Sequence, residues 1–288
     1  MSSYRGVLHH YCGPQVAFEF EPSGFKKVII VIGGLTDGLL TIAFVPALAE
    51  ALKELSYSVI QIQLTSSYKG WGTASLDTDV KEIKKLINFL KSPKGGNREK
   101  IIIMGRSTGS QDVIHYLLRH PDTVDAGILD AAVSDREGLQ EDVDPQIINR
   151  LNGHALKLIQ DGHPNQLLGN EYGKYVFNTP ITAYRWCSLM VPGGDDDYFS
   201  SDLSDDHVKR TFGSISKPFL VIENEKDEFV PERIDKQALL QRWESFSHPK
   251  YWSKNSGVLK EASHLVTEPA AQLRLRELVK MFIREFSL

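Results

Sequence analysis

At 288 residues, with 41% hydrophobic and 24% charged side chains, the chain has the apolar content of a folded protein with a large core, which argues against disorder over its length. Its 33 basic and 37 acidic residues leave a formal charge of -4, so no broad basic field is available to hold a nucleic-acid backbone or an anionic membrane. Two cysteines, Cys12 and Cys187, are too few for a disulfide framework, and no apolar run has the length of a signal peptide or a membrane span; both observations point to reduced thiols and a cytoplasmic protein.

In chain order, Val16 to Phe20 alternates weakly and is expected as an edge strand. Lys27 to Ile32 (KVIIVI) is a continuous β-branched run, as for a strand buried on both faces. The turn Gly33-Gly34-Leu35-Thr36-Asp37-Gly38 leads to a helix over about Leu40 to Leu55 and a strand over Ser58 to Leu64, completing one βαβ unit. Val80, Ile83, Leu86, Ile87 and Leu90 stripe a helix over Asp77 to Lys91, which a polar, Gly-rich stretch joins to the strand Ile101 to Met104. A helix over Ser110 to Arg119 and an apolar strand from Ala126 to Leu129 follow.

The β-α rhythm then stops between Ser134 and Ser216, where a helical pattern at Pro145 to Ile159 is followed by polar loops such as Val191 to Leu203. It resumes with a strand at Pro218 to Glu223, a helix near Pro231 to Trp243, a short strand at Gly257 to Leu259 and a terminal helix from about Glu268 to Phe286. The expectation is an α/β protein with a mostly parallel central sheet and helices on both faces, its core formed by residues 1–133 and 217–288 and a cap inserted at 134–216.

The most informative stretch is Gly105-Arg106-Ser107-Thr108-Gly109, a G-x-S-x-G sequence between a buried strand and a helix. A serine on so sharp a turn stands clear of the sheet, the flanking glycines relieve crowding, and the positive end of the helix favours an oxyanion beside it; this is the nucleophile elbow of an α/β-hydrolase fold. Such a serine needs a base, and the base needs an acid, in the chain order Ser, Asp or Glu, His. Asp227 lies in the loop after the strand Phe219 to Ile222, at the catalytic edge of a parallel sheet, with Glu225, Glu228 and Asp130 as rival acids. Among nine histidines, His264 falls after the last strand and before the final helix, where a loop-borne base belongs.

Two backbone N–H groups, from Leu35 and Thr108, are the candidate oxyanion donors, and the Gly33-Gly34 pair would let a substrate carbonyl approach closely. Candidate substrate contacts are Gly34, Arg106, Trp71, Tyr198 and Phe199, with Tyr68, Tyr184 and Trp186 as further aromatics that could line a pocket. The glycine turn fits neither a Walker loop nor a dinucleotide fingerprint, so no phosphate cofactor is indicated. The acids Asp195, Asp196, Asp197, Asp202, Asp205 and Asp206 lack calcium-loop spacing and are expected to be solvated rather than metal-bound.

The segments Ile32-Gly-Gly-Leu-Thr-Asp-Gly38, Gly105-Arg-Ser-Thr-Gly-Ser-Gln-Asp112 and Asp195-Asp-Asp-Tyr-Phe-Ser-Ser-Asp-Leu203 together resemble the fungal siderophore esterases that hydrolyse fusarinine C, over nearly the whole chain. The resemblance implies a hydroxamate siderophore ester as the small-molecule substrate, cleaved inside the cell to free iron, and a triad at Ser107, Asp227 and His264. The same triad serves other esters, lactones and thioesters, and a slow-turnover binding protein can keep the same fold.

Overall fold

The computed structural model describes residues 3–288. Eight strands form one sheet: β1 (Gly6–Cys12), β2 (Gln15–Phe20), β3 (Lys27–Ile32), β4 (Tyr57–Ile62), β5 (Lys100–Arg106), β6 (Ala126–Asp130), β7 (Phe219–Lys226) and β8 (Gly257–Ser263). Their spatial order is β1-β2-β4-β3-β5-β6-β7-β8. The β1–β2 and β2–β4 pairs are antiparallel, and all pairs from β4 to β8 are parallel. The helices of the sheet region are α1 (Val45–Leu52), α2 (Leu76–Lys91) and α3 (Thr108–Arg119); between β6 and β7 the chain forms α4 (Asp135–Gln140), α5 (Pro145–Gln160), α6 (Asn170–Gly173), α7 (Ala183–Met190) and α8 (Asp205–Thr211). The helices α9 (Lys236–Phe246) and α10 (Pro269–Glu285) follow β7 and β8.

Strand periodicity explains how both faces are covered. Along β3, Val28, Ile30 and Ile32 join α2, α3 and α9 in one apolar layer, whereas Ile29 and Val31 join α1 and α10 in the other. Side chains that alternate across a strand therefore serve two cores at once, which is why KVIIVI shows no polar face. Each fully buried Ile or Val contributes about 1.5–3 kcal/mol relative to exposure, so these central strands anchor the site's scaffold. Ser75 caps α2 by accepting the Thr78 N–H at 3.2 Å, and Asp235 caps α9 by accepting the Ala238 N–H at 3.0 Å. A third apolar cluster packs α5 against α7 through Leu151, Ala155, Trp186 and Met190 and takes in Trp71.

Several expectations are corrected. The strand at 15–20 lies inside the sheet, because β1 covers it through a hairpin at Gly13 and takes the edge itself. Helix α1 begins at Val45, not near Leu40, since Pro46 suits a first turn and Leu40 has φ +65°. Helix α9 starts five residues after Pro231, where the Asp235 cap satisfies a free N–H. The acidic run is not uniformly solvated: Asp196 bonds the buried Arg185 guanidinium at 2.5 Å and Asp197 accepts from Arg136 Nε at 3.2 Å. Both cysteines are free thiols, and burial pushes Cys187 up to about 11. No helix among the described residues is long and apolar enough to cross a membrane, and none of their His, Cys, Asp and Glu groupings could hold a metal ion.

Candidate active site

The parallel strands β5, β7 and β8 end on one edge of the sheet, and the loops that leave them meet there. Ser107 follows β5 with φ +55° and ψ -128°, a backbone region that a non-glycine residue adopts only under constraint. The constraint is visible: its N–H donates to the Asp130 carbonyl at 2.9 Å, and Ser110 Oγ donates to the carbonyls of Gly105 and Asp130, each at 3.1 Å. A Cβ on Gly105 would sit 1.9 Å from the Gly109 carbonyl oxygen, and one on Gly109 would sit 2.5 Å from that of Ile32. The two glycines of the elbow are thus demanded by close backbone approach.

Ser107 Oγ lies 3.0 Å from His264 Nε2, and His264 Nδ1 lies 2.8 Å from Asp227 Oδ2. The other Asp227 oxygen accepts the Phe229 N–H at 2.9 Å, which fixes the carboxylate plane. His264 is 5% exposed; its backbone N–H donates to Glu228 Oε2 at 2.8 Å and its ring meets the Phe229 ring at 4.6 Å between centroids. Of the rival acids, Glu228 holds the histidine's backbone rather than its ring, and Glu225 turns away to Lys260 and the Glu261 N–H. Asp130 is fully buried with neither carboxylate oxygen bonded, and burial pushes it up to about 6 against the pull of Arg106 and His264.

The Leu35 and Thr108 N–H groups pair with no protein acceptor among the described residues, and Thr108 opens α3, where N–H groups are free by helix geometry. Gly34 packs against the serine: a Cβ there would lie 2.6 Å from Ser107 Cβ and 3.1 Å from its Oγ. A cleft of about 140 Å³ opens over Ser107. Leu35, Phe229 and Leu265 from the sheet's loops and Leu139 and Phe177 from the helical insertion give it largely apolar walls. Phe177 and Leu265 stay exposed at 45% and 50%, so the mouth is greasy as well as the interior.

Gly34 and Arg106 line this cleft, but the three aromatics expected there do not. Trp71 is buried in the cluster with α5 and α7; Tyr198 donates or accepts at His115 Nδ1, 2.6 Å away; Phe199 packs on Trp243 at 5.7 Å. Each fills core, where an aromatic ring removes more apolar surface from water than at a pocket wall. Sequence reasoning missed Phe177, Phe229, Leu139 and Leu265 as wall residues, and it gave Asp37 no part; the only local signal was the position of Phe229 two residues after the acid and of Leu265 directly after the base.

A family model described as "Protein of unknown function (DUF1749)" matches residues 1–286. The fusarinine C esterase of Aspergillus fumigatus is 33% identical over 91% of this chain and 90% of its own length. An esterase of Emericella nidulans is 31% identical over 96% of this chain and 90% of its own. Among solved structures, the siderophore hydrolase EstB from Aspergillus fumigatus superposes with a TM-score of 0.84 at 32% identity, covering 99% and 98% of the two chains. An α/β-hydrolase-fold protein of unknown function superposes with a TM-score of 0.71 at 18% identity, covering 99% of this chain and 97% of that one, a likeness of fold alone.

Proposed function

From the premise that the chain belongs to the DUF1749 family and is a carboxylic ester hydrolase of the α/β-hydrolase fold, we propose that Ser107, His264 and Asp227 are its catalytic triad and that its substrate is a hydroxamate siderophore ester of the fusarinine C kind. The observation that carries the triad is the unbroken hydrogen-bonded line from Ser107 Oγ through the His264 ring to Asp227. The similarity to the fusarinine C esterase over nine-tenths of both chains supports the substrate.

In this reading His264 Nε2 takes the Ser107 proton as Oγ bonds to the ester carbonyl carbon. The carbonyl oxygen, now negative, is held by the Leu35 and Thr108 N–H groups, which require no reorganisation at the moment of reaction. Collapse breaks the ester C–O bond, and the leaving alkoxide takes the proton from His264. Water then adds to the acyl-enzyme with His264 again as base, releasing the acid and restoring Ser107. Asp227 holds the ring tautomer and stabilises the imidazolium. Residues 134–216 act as a cap that supplies Leu139 and Phe177 to the cleft, and hydrolysis in the cytoplasm would free the siderophore's iron. A second reading, hydrolysis of a smaller apolar ester, is favoured by the cleft's modest volume and apolar walls, which receive an acyl end and leave a large substrate mostly outside.

The test is hydrolysis of fusarinine C, free and iron-loaded, by the wild type and Ser107→Ala, read by mass spectrometry beside a short-chain p-nitrophenyl ester. Monomer release by the wild type alone supports both nucleophile and substrate. Cleavage of the simple ester alone removes the siderophore reading and leaves the second one. Turnover by Ser107→Ala at the wild-type rate removes the triad.

A further inference from the structure

Arg106 stands beside the nucleophile, yet its side chain is 3% exposed and already committed. Nη2 donates to the His264 carbonyl at 2.7 Å and Nη1 to Asp37 Oδ2 at 3.3 Å. The same Asp37 oxygen accepts the Gly34 N–H at 3.0 Å, and the other accepts from Thr41 Oγ1 at 2.8 Å. One guanidinium therefore touches the loop that carries the base and, through one carboxylate, the turn that carries Gly34 and Leu35. A buried ion pair is a weak source of stability, because desolvating both ions offsets much of their attraction, and apolar residues of similar volume would serve a core equally well. What apolar residues could not do is fix two loops from one rigid plane.

We infer that Arg106, paired with Asp37, is a positioning residue that sets the Leu35 oxyanion donor and His264 in register with Ser107. The inference rests on the triad proposed above. Bonds in two directions demand the planar fork of arginine; a lysine ammonium, a point charge on a flexible stem, holds one loop and releases the other. The Gly34 N–H is spent on Asp37, whereas the next N–H of the same tight turn, that of Leu35, has no protein acceptor among the described residues, and Leu35 lines the cleft. Reacting groups misplaced by about 1 Å lose roughly 100-fold in rate, so slack in this pair reads out in catalysis even when the fold stands.

The experiment uses the full chain and a short-chain p-nitrophenyl ester, with wild type and Ser107→Ala as brackets. Arg106→Met and Arg106→Lys are expected to lower kcat by about 10- to 100-fold with KM within about threefold, and to weaken a trifluoromethyl ketone inhibitor in parallel with kcat/KM. Asp37→Ala should match Arg106→Met, the double variant should be no worse than either, and Asp37→Asn, which keeps an acceptor for the Gly34 N–H, should recover most of the rate. Hydrogen exchange at residues 33–41 and 263–266 should rise together in Arg106→Met. A kcat within twofold of wild type in Arg106→Met, additive losses, or unchanged exchange in both loops would each overturn the pairing. If Ser107→Ala is as active as wild type the triad fails instead, and the exchange measurement still decides whether Arg106 holds the two loops.

Discussion

Asp130→Asn tests how much a buried, unbonded carboxyl beneath the elbow costs the fold. Burial raises Asp130 from an ordinary 3.8 to about 6, with Arg106 and His264 pulling it down and Asp227 pushing it up. Below pH 3.8 both folded and unfolded chains carry the proton, and the group takes nothing from stability. Between 3.8 and about 6 the unfolded chain ionises while the folded one does not, so stability falls as pH rises; above 6 the loss is complete. A difference of about two pH units, at ~1.4 kcal/mol each, makes that loss about 3 kcal/mol, undiscounted because no solvent reaches the group. Asparagine keeps the shape without the titration. Relative to wild type, Asp130→Asn should be near neutral at pH 4 and more stable by up to about 3 kcal/mol at pH 7.5, or roughly 2 °C in Tm for each kcal/mol at this chain length. The unbonded amide adds a fixed offset of about 1 kcal/mol at every pH, so the quantity to read is the change between the two pH values in urea unfolding followed by tryptophan fluorescence. A mutant-to-wild-type difference that stays constant within about 0.5 kcal/mol across that range would refute the reasoning.

Two further outcomes follow from the site's geometry. Gly34→Ala places a methyl 2.6 Å from Ser107 Cβ and 3.0 Å from the Arg106 carbonyl oxygen, neither of which can yield as a flexible side-chain end would, so kcat should fall at least ~100-fold while near-ultraviolet circular dichroism is retained. Wild-type turnover in this variant would show that the turn has room to move. Phe177→Ala removes an exposed wall that faces the Phe229 ring at 6.4 Å. The ratio of kcat/KM for p-nitrophenyl hexanoate to that for the acetate should drop about 5- to 10-fold, worth ~1 kcal/mol of apolar contact, with stability changed by less than about 0.5 kcal/mol. An unchanged ratio would mean that the acyl chain binds elsewhere.

Much of the scaffold was legible because its signals are local. KVIIVI reads as a strand buried on both faces without reference to its neighbours, and Gly105 to Gly109 reads as an elbow because the strand, the serine and the glycines are contiguous. The chain order of acid and base then drew attention to Asp227 and His264. By contrast β1, with its mostly exposed residues, has no hydrophobic pattern of its own; it exists because β2 offers it an unpaired edge.

The sequence by itself determined which residue types stand at strand ends and in what order, and hence the α/β architecture and a short roster of groups able to do acyl chemistry. Only the tertiary structure decided among them. It brought Asp227, rather than Asp130, Glu225 or Glu228, to His264 Nδ1, and it tied Arg106, which lines the cleft, to Asp37 and the His264 carbonyl. It also drew Trp71, Tyr198 and Phe199 into the core and left Phe177 at the mouth of the cleft. The physical reason is the same in each case: a carboxylate's partner, a guanidinium's bonds and the side of an aromatic ring that meets water are set by groups scores of residues away, and no local pattern encodes a distance between them.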